Sequence, residues 1–254
     1  MELIDSHAHI DAPEFDLDRD AVLSRARAAG VCAQVVPAVS AAGWPKLKAL
    51  AQAHPELHPA YGLHPMYLSE HLEEHLDELM QWIAREHPVA VGECGLDFFV
   101  EGLDPEQQRM VFRRQLKIAR DVQLPVIVHA RRAVDEVIAS IRRIGGLRGV
   151  VHSFGGSIEQ ARQLHALDFK LGIGGPITYE RAARLRRVVA EVPLAQLLLE
   201  TDSPDQPLAS HRGERNEPAW MPQVLAAVAH ARGESETRIA EATCANAREL
   251  FNLS

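Results

Sequence analysis

Short apolar runs alternate with longer amphipathic stretches from one end of this chain to the other. The runs are rich in β-branched residues, which favours strands buried in a parallel sheet, whereas the stretches between them have helical periodicity. We predict eight strands over residues 5–10, 31–36, 57–65, 88–93, 124–129, 149–152, 169–173 and 196–202. We predict helices over residues 18–30, 41–53, 69–86, 105–122, 133–144, 157–167, 179–191, 218–232 and 236–251.

Eight strands that each lead into a helix are the pattern of a closed (β/α)8 TIM barrel, a fold of the α/β class. The length of 254 residues is typical of such a barrel as one domain. Because no linker-like stretch interrupts the alternation, we predict a single domain over residues 1–254. An open doubly wound sheet is the weaker alternative, since residues 5–11 contain no glycine for a phosphate loop after the first strand.

The composition narrows the class of protein and the kind of partner. No apolar run is long enough to span a bilayer and the acidic start lacks a secretory signal, so we expect no membrane association and a cytoplasmic monomer. The three scattered cysteines fit reduced thiols and give no zinc-finger spacing. A formal net charge of −8 disfavours broad binding to a polyanion. Any nucleic-acid substrate must therefore be held locally.

Two histidines follow each other at the end of the predicted first strand. Because side chains on a strand repeat with period two, His7 and His9 project from one face. Two neutral imidazoles aimed at one point provide half of a metal site. The alternative is a chance pair or a hydrogen-bonded core pair, because the chain contains 13 histidines.

Four further residues of metal-binding type fall at the ends of predicted strands. Glu93 ends strand four, His129 strand five, His152 strand six and Asp202 strand eight. Each alone has an ordinary alternative, such as a carboxylate that begins a helix, a core histidine or a helix cap. Active sites of parallel barrels lie where the carboxyl ends of the strands meet. The joint placement of these residues with the opening histidine pair therefore predicts a metal site.

The predicted ligand set suits two divalent ions per chain. Imidazole favours zinc, manganese or iron, and carboxylates also bind harder ions, so we expect zinc, manganese or, less readily, magnesium. Two ions about 3.5–4 Å apart can activate water and stabilise both oxygens of an in-line displacement, which is the geometry of phosphoester hydrolysis. We assign Glu93 and Asp202 as catalytic residues, with Asp202 accepting the proton of the nucleophile.

Four other polar residues are candidate substrate contacts. His64 ends strand three and faces the same mouth, although a turn histidine beside proline is the alternative. Arg131 has the parity to point into the mouth and hold a phosphate bidentately, and a solvated loop arginine is its alternative. Arg212 and Asn216 lie on the long loop of residues 203–218 and are further candidates.

Six ordered segments resemble the signatures of one enzyme family. They are Asp5-Ser6-His7-Ala8-His9, Gly62-Leu63-His64-Pro65, residues 91–97, residues 125–131, Val151-His152-Ser153-Phe154 and residues 200–204. This chain is similar to the TatD family of metal-dependent hydrolases over nearly its whole length. Residues 172–179 and 197–207 look closest to the bacterial YjjV-like branch.

The resemblance implies an amidohydrolase-type TIM barrel, dependence on divalent metal and DNase activity, in some relatives 3′ to 5′ exonuclease action on single strands. It also implies one metal held by His7, His9, Glu93 and Asp202 and a second held by Glu93, His129 and His152. Arg131 and His64 would be phosphate contacts. Many relatives carry a tyrosine after the Gly-Leu-Asp motif where this chain has Phe98-Phe99, so a contact made there by a hydroxyl is missing.

The leading hypothesis is a two-metal phosphodiesterase or deoxyribonuclease acting on DNA ends or short oligonucleotides. The alternative is an amidohydrolase-type hydrolase of a small ester, lactone or amide. Many such enzymes bridge two metals with a carbamylated lysine, and strand four offers Glu93 instead, which favours the phosphodiesterase. A non-catalytic scaffold that uses the loop of residues 203–218 is a third class, disfavoured because every ligand position is intact.

Overall fold

The computed structural model describes residues 1–253, in which eight parallel strands form a nearly closed barrel. Each strand pairs with the next along the chain, and the backbone N–H of Ser6 donates to the carbonyl of Leu199 at 2.9 Å between the first and last strands. The predicted TIM-barrel fold is thus confirmed. The strands are β1 Leu3–Asp5, β2 Val31–Pro37, β3 Leu57–Tyr61, β4 Ala90–Asp97, β5 Val126–Arg131, β6 Gly149–Val151, β7 Phe169–Ile173 and β8 Leu197–Leu199.

Helices cover the outside of the barrel, and α4, α6 and α9 begin at side-chain caps. Asp104 accepts from the backbone of Glu106 at the start of α4, and Ser157 forms a capping box with Gln160 at the start of α6. The helices are α1 Arg19–Ala28, α2 Trp44–Ala53, α3 Glu74–Glu86, α4 Pro105–Val122, α5 Val134–Ile144, α6 Ile158–His165, α7 Ala183–Glu191, α8 Met221–Arg232 and α9 Glu236–Phe251. Within residues 1–253, none of them is long and apolar enough to cross a membrane.

The hydrophobic core has two parts. The larger part lies between the strands and the surrounding helices. The smaller part fills the barrel interior with side chains such as Ile4, Val35 and Ile127, and α9 adds Leu250 and Phe251 to it. Because apolar side chains fill this interior, the polar groups described below gather where the strands lead into their following loops.

Several predicted boundaries were wrong, and tertiary pairing explains most of the differences. The first strand ends at Asp5 rather than at residue 10, and the eighth ends at Leu199. β4 continues to Asp97 because its second half pairs with β5, so Glu93 lies inside β4 rather than at its end. The helix predicted over residues 69–86 is a 3-10 helix over Pro65–Glu70 followed by α3.

Candidate metal centre

Six histidine and carboxylate side chains converge around the buried carboxylate of Glu93 at the mouth of the barrel. The seven residues come from β4, β5 and the segments that follow β1, β3, β6 and β8, so the structure brings together all six ligands predicted from the sequence. The seven residues are His7, His9, His64, Glu93, His129, His152 and Asp202.

One set of donor atoms surrounds a point beside Oε2 of Glu93. Nε2 of His7 lies 3.1 Å from Nε2 of His9 and 3.4 Å from Oδ1 of Asp202. Glu93 Oε2 lies 3.1 Å from His7 Nε2 and 3.4 Å from His9 Nε2. Ligand atoms about 2.1 Å from one ion at tetrahedral angles lie about 3.4 Å from one another. The first set therefore has the spacing of a tetrahedral metal site.

A second set surrounds the other carboxylate oxygen of Glu93. Oε1 lies 2.8 Å from Nε2 of His152 and 3.1 Å from Nδ1 of His129, and these two nitrogens are 3.2 Å apart. These three distances are slightly shorter than the separation of about 3.4 Å between ligand atoms of a tetrahedral metal site. Each oxygen of Glu93 thus faces its own group of imidazole nitrogens, which is the arrangement of a bridging carboxylate.

The chemistry of the donor set fits bound divalent cations. Glu93 Oε2 is buried and has no hydrogen-bond partner among residues 1–253, and the same is true of Nδ1 of His7. A buried carboxylate oxygen without a partner carries a large desolvation cost unless a cation satisfies it. Imidazole and carboxylate together suit zinc or manganese, so the residues present fit the predicted group.

Without cations, protons carry the positive charge of the cluster. Burial opposes the charge of His9, but hydrogen bonding to Glu93 and its negative charge raise the pKa of His9 to about 9. Burial likewise opposes the charge of His152, and Glu93 raises its pKa to about 10. Burial and the charge of His152 hold the pKa of His7 well below its usual range. The surrounding imidazoles outweigh burial at Glu93 and hold its pKa well below the ordinary value.

His64 touches the second set as a hydrogen-bond donor. Its Nδ1 accepts from the backbone N–H of Met66 at 3.1 Å, so that nitrogen carries no proton. Burial lowers the pKa of His64 to about 4, which leaves the ring neutral with its proton on Nε2. Nε2 lies 3.0 Å from Oε1 of Glu93 and donates to it. His64, Glu93 and His129 also present donor atoms close enough together to hold a metal, and a proton on Nε2 would have to be lost before that nitrogen could bind one.

Three groups outside the ligand sets fix the orientation of ligands. Asp97 Oδ2 lies 2.9 Å from Nε2 of His129, which turns Nδ1 of that ring towards Glu93. His9 Nδ1 lies 3.1 Å from the carbonyl of Pro37. Gln206 donates from Nε2 to Oδ2 of Asp202. Burial opposes the charge of Asp97, but hydrogen bonds from His129 and two backbone N–H groups lower its pKa to about 2.

Asp97 and Gln206 were not among the site residues predicted from the sequence. Asp97 lies four residues after Glu93 on β4, and side chains on a strand repeat with period two. This alternation places Asp97 on the same face as Glu93 and could have identified it as a site residue. Gln206 lies in an irregular loop, where no periodicity indicates the direction of a side chain. Glu200 also had no role, and its buried carboxylate lies 3.9 Å from Nδ1 of His152.

The segments that follow the first and last strands meet at the first ligand set. The backbone N–H of Asp202 donates to the carbonyl of His7 at 2.8 Å, and the N–H of His9 donates to the carbonyl of Ser203 at 2.7 Å. Asp5 accepts from the backbone N–H of His7 at 3.2 Å and from the backbone and hydroxyl of Thr201 at 3.0 and 2.6 Å. It therefore joins β1 to the segment after β8.

Glycine allows the close approach of β4 to β5 beside the second set. A Cβ built on Gly95 would lie 2.0 Å from the carbonyl oxygen of His129, and the φ of Gly95 is +153°. The main chain of β5 therefore lies against β4 only because this position has no side chain. The approach brings His129 within reach of both Asp97 and Glu93.

The predicted substrate contacts have different surroundings. Arg131 is exposed, and its guanidinium lies 3.8 Å from the ring centroid of Phe99 rather than inside the mouth. Arg212 is exposed on the loop after β8. Asn216 is fully buried, donates to the carbonyls of Thr201 and Asp205 at 2.8 Å and accepts from the N–H of Glu217. Its amide is used by the loop, so a structural role replaces the expected substrate contact.

Comparisons with known proteins agree with this geometry. A family model described as TatD related DNase matches residues 4–252. The uncharacterized metal-dependent hydrolase YjjV of Escherichia coli (strain K12) is 43% identical over 253 residues, which cover 98% of each chain. The crystal structure of YjjV has a TM-score of 0.96 and 42% identity, covering 99% of this chain and 98% of that chain. The 3′-5′ ssDNA/RNA exonuclease TatD of Erwinia tasmaniensis is 35% identical over 261 residues, 99% of this chain and 100% of the relative.

A parallel α/β barrel with a histidine and carboxylate cluster at the carboxyl side of its strands is the architecture of a metal-dependent hydrolase. The chain belongs to the TatD family of such hydrolases, which are enzymes acting on ester bonds. The resemblance inferred from the sequence motifs is confirmed, and the similarity to YjjV agrees with the predicted branch.

Proposed function

We propose that this protein is a two-metal phosphodiesterase that cleaves DNA at its ends or in short oligonucleotides, with 3′ to 5′ action on single strands. The observation that carries the proposal is Glu93, whose two carboxylate oxygens each face a separate group of imidazole nitrogens. Several relatives are named as 3′-5′ exonucleases of single-stranded DNA and RNA, which supports the substrate class.

In this proposal His7, His9, Asp202 and Glu93 hold one divalent ion, and Glu93, His129 and His152 hold the other. When bound, two such metal ions polarise phosphoryl oxygens and lower the pKa of a coordinated water molecule. Magnesium is less suited than zinc or manganese to a set with four imidazoles.

The protein groups have separate roles around the reacting phosphate. Asp202 lies in the first ligand set, with Oδ1 3.4 Å from Nε2 of His7, so its carboxylate is placed to accept the proton of the attacking water. Its second oxygen is held by Gln206, so the carboxylate is fixed while it accepts. His64 has a fixed Nε2–H at the same mouth and donates either to Glu93 or to a substrate phosphate oxygen.

Arg131 supports a phosphate further from the reacting centre. Its guanidinium is stacked on Phe99 and exposed, so the charge is oriented by the ring and stays open to an anion. Stacking on Phe99 gives this position a function in place of the hydroxyl that a tyrosine would supply.

A test combines elemental analysis with a panel of substrates. Protein loaded with zinc or manganese should contain two ions per chain and hydrolyse single-stranded DNA faster than double-stranded DNA, a lactone or an amide. Asp202→Asn should lower the turnover of DNA by a factor of about 100 or more while keeping the fold. A chain with both ions bound that leaves every nucleic acid intact and hydrolyses the lactone or amide would overturn the proposal.

A further inference from the structure

A cleft opens beside the metal centre, between the start of α7 and the loops that follow β6, β7 and β8. We call it the α7 cleft, and its volume is about 380 Å³. The residues that line it include Gly155, Tyr179, Arg181, Arg184, Gln206 and Pro207. This volume lies in the range of small-molecule binding sites, and Gln206 is the one residue among those named that has a role described above.

The α7 cleft is positively charged in a protein of net charge −8. Arg181 and Arg184 are exposed at its rim, and no carboxylate is among the residues that line it. Arg187 on the same helix is paired with Glu191 at 2.7 Å, whereas within residues 1–253 neither rim arginine has a carboxylate within ion-pair distance. Arg184 donates one N–H to the carbonyl of Gly155 at 2.6 Å and keeps its other donors free. The guanidinium of Arg181 lies 5.6 Å from the ring centroid of Tyr179. Two guanidinium groups at one rim without a carboxylate partner suit an anionic ligand.

One wall of the cleft is a fixed aromatic ring. The hydroxyl of Tyr179 donates to the carbonyl of Pro207 at 2.9 Å, which holds the ring while leaving it partly exposed. Pro176 and Leu185 extend the apolar wall. A planar base stacks on such a surface with little dependence on its identity.

A single side chain connects the cleft to the ligands. Gln206 lines the cleft, donates to Oδ2 of Asp202 and accepts from the hydroxyl of Ser153 at 2.7 Å. A ligand in the cleft is therefore next to the first ligand set. A nucleotide chain that extends from the reacting centre towards α7 would enter it directly.

We propose that the α7 cleft binds the nucleotide adjacent to the scissile bond of a single-stranded substrate, with a phosphate at Arg181 and Arg184 and the base against Tyr179. The inference rests on the proposed phosphodiesterase function. It explains how an acidic protein holds a polyanion, because the grip is confined to one basic cleft beside the metals.

The test compares a single-stranded tetrathymidylate with bis-p-nitrophenyl phosphate, a diester too short to extend from the metals into the cleft. In Arg181→Ala/Arg184→Ala, the ratio of kcat/KM for the tetranucleotide to that for the small diester should fall about tenfold. The slope of log KM against log salt for the tetranucleotide should fall by about one. The matched control Arg142→Ala/Arg143→Ala removes the same charge from two exposed residues in the last turn of α5 and should keep the ratio of the unaltered protein.

Two variants of Tyr179 distinguish stacking of a base on its ring from a structural role of its hydroxyl. Tyr179→Phe loses the bond to Pro207 and keeps the ring, so the ratio should stay near that of the unaltered protein, whereas Tyr179→Leu should lower it about fivefold. A Tyr179→Phe variant as poor as Tyr179→Leu would contradict stacking. If the unaltered protein cleaves the tetranucleotide and the arginine pair changes nothing, the cleft assignment fails and the phosphodiesterase stands. If metal-loaded protein cleaves only the small diester, the proposed function fails.

Discussion

At the scale of single residues, the histidine pair after β1 is expected to hold one ion on its own side of Glu93. The double change His7→Ala/His9→Ala removes two of the four atoms in the first set and leaves the second set intact. We expect elemental analysis to find one ion per chain instead of two, with an unchanged circular dichroism spectrum because the apolar interior lies elsewhere. Two retained ions would show that this pair binds neither of them.

His64 and His129 make a matched pair of histidines around one oxygen. His64→Ala should keep both ions and lower turnover about ten- to hundredfold, since it removes a hydrogen bond to a charged group. His129→Ala removes a ligand and should lower the metal content by one ion. The two variants are to be compared by elemental analysis and by hydrolysis of single-stranded DNA. Loss of an ion from His64→Ala would make that residue a ligand.

Protons and cations compete for the same nitrogens, which gives metal binding a definite pH dependence. The pKa of His9 is raised to about 9 and that of His152 to about 10, so both rings are protonated at pH 7.5 in the metal-free protein. Burial opposes the charge of His129, but hydrogen bonds to Asp97 and Glu93 outweigh it and also raise the pKa of His129. Metal binding requires neutral rings and should release at least two protons per chain at that pH. Affinity should therefore rise with pH and level off above about pH 10. Calorimetry in buffers of different ionisation enthalpy measures the released protons, and a binding enthalpy independent of the buffer would contradict this expectation.

At the scale of elements, the pairing of β4 with β5 depends on the missing side chain of Gly95. Gly95→Ala would place a methyl group against the main chain of His129 and displace β5 from β4. We expect a loss of about 2–3 kcal/mol in the free energy of unfolding and weaker metal binding. Gly102→Ala is the control, because Gly102 also has a positive φ of 84° but no atom within 4 Å of its Cβ. Urea denaturation of both variants separates the clash from backbone strain, and equal losses would argue against the clash.

The sequence predicted some strands and helices correctly and others with wrong boundaries. Alternation of apolar runs and helical stretches is a local property, so it predicted eight strands and the barrel correctly. The end of β4 was wrong because its extension to Asp97 depends on pairing with Val128–Arg131, which lies about one helix away along the chain. The helix before α3 was wrong because residues 65–70 form a 3-10 helix and His71 is held by the carbonyl of His64.

In the candidate site too, features set by local patterns could be predicted, whereas features set by tertiary contacts could not. The convergence of the candidate ligands could be predicted because the carboxyl sides of parallel strands meet at one mouth, even where a strand end was misplaced. Asn216 could not, because nothing local shows that its amide turns inwards onto the loop of Thr201 and Asp205. The donor role of His64 depends on the N–H of Met66, and the role of Gln206 depends on a loop without a repeat. The single domain over residues 1–254 and the monomeric state stay predictions.

At the scale of the whole molecule, the barrel and the metal centre are completed by the same contacts. Bonds that connect Ser6 to Leu199 and Asp5 to Thr201 bring the first and last strands together, and the bond between His7 and Asp202 joins two ligands of one proposed ion. Stability of the mouth and affinity for that ion are thus expected to be linked, because a cation bound there stabilises the closed barrel by mass action.

This meeting of distant segments has a consequence for the order of events during synthesis. His7 and His9 leave the ribosome well before the carboxylate that completes their set, which is about 190 residues further along the chain. A growing polypeptide therefore carries an exposed pair of imidazoles that can hold a cation only loosely until Asp202 has been added. Firm loading of the first position is in this way postponed until the eighth strand has emerged, so this metal position matures only after the whole barrel has been synthesised.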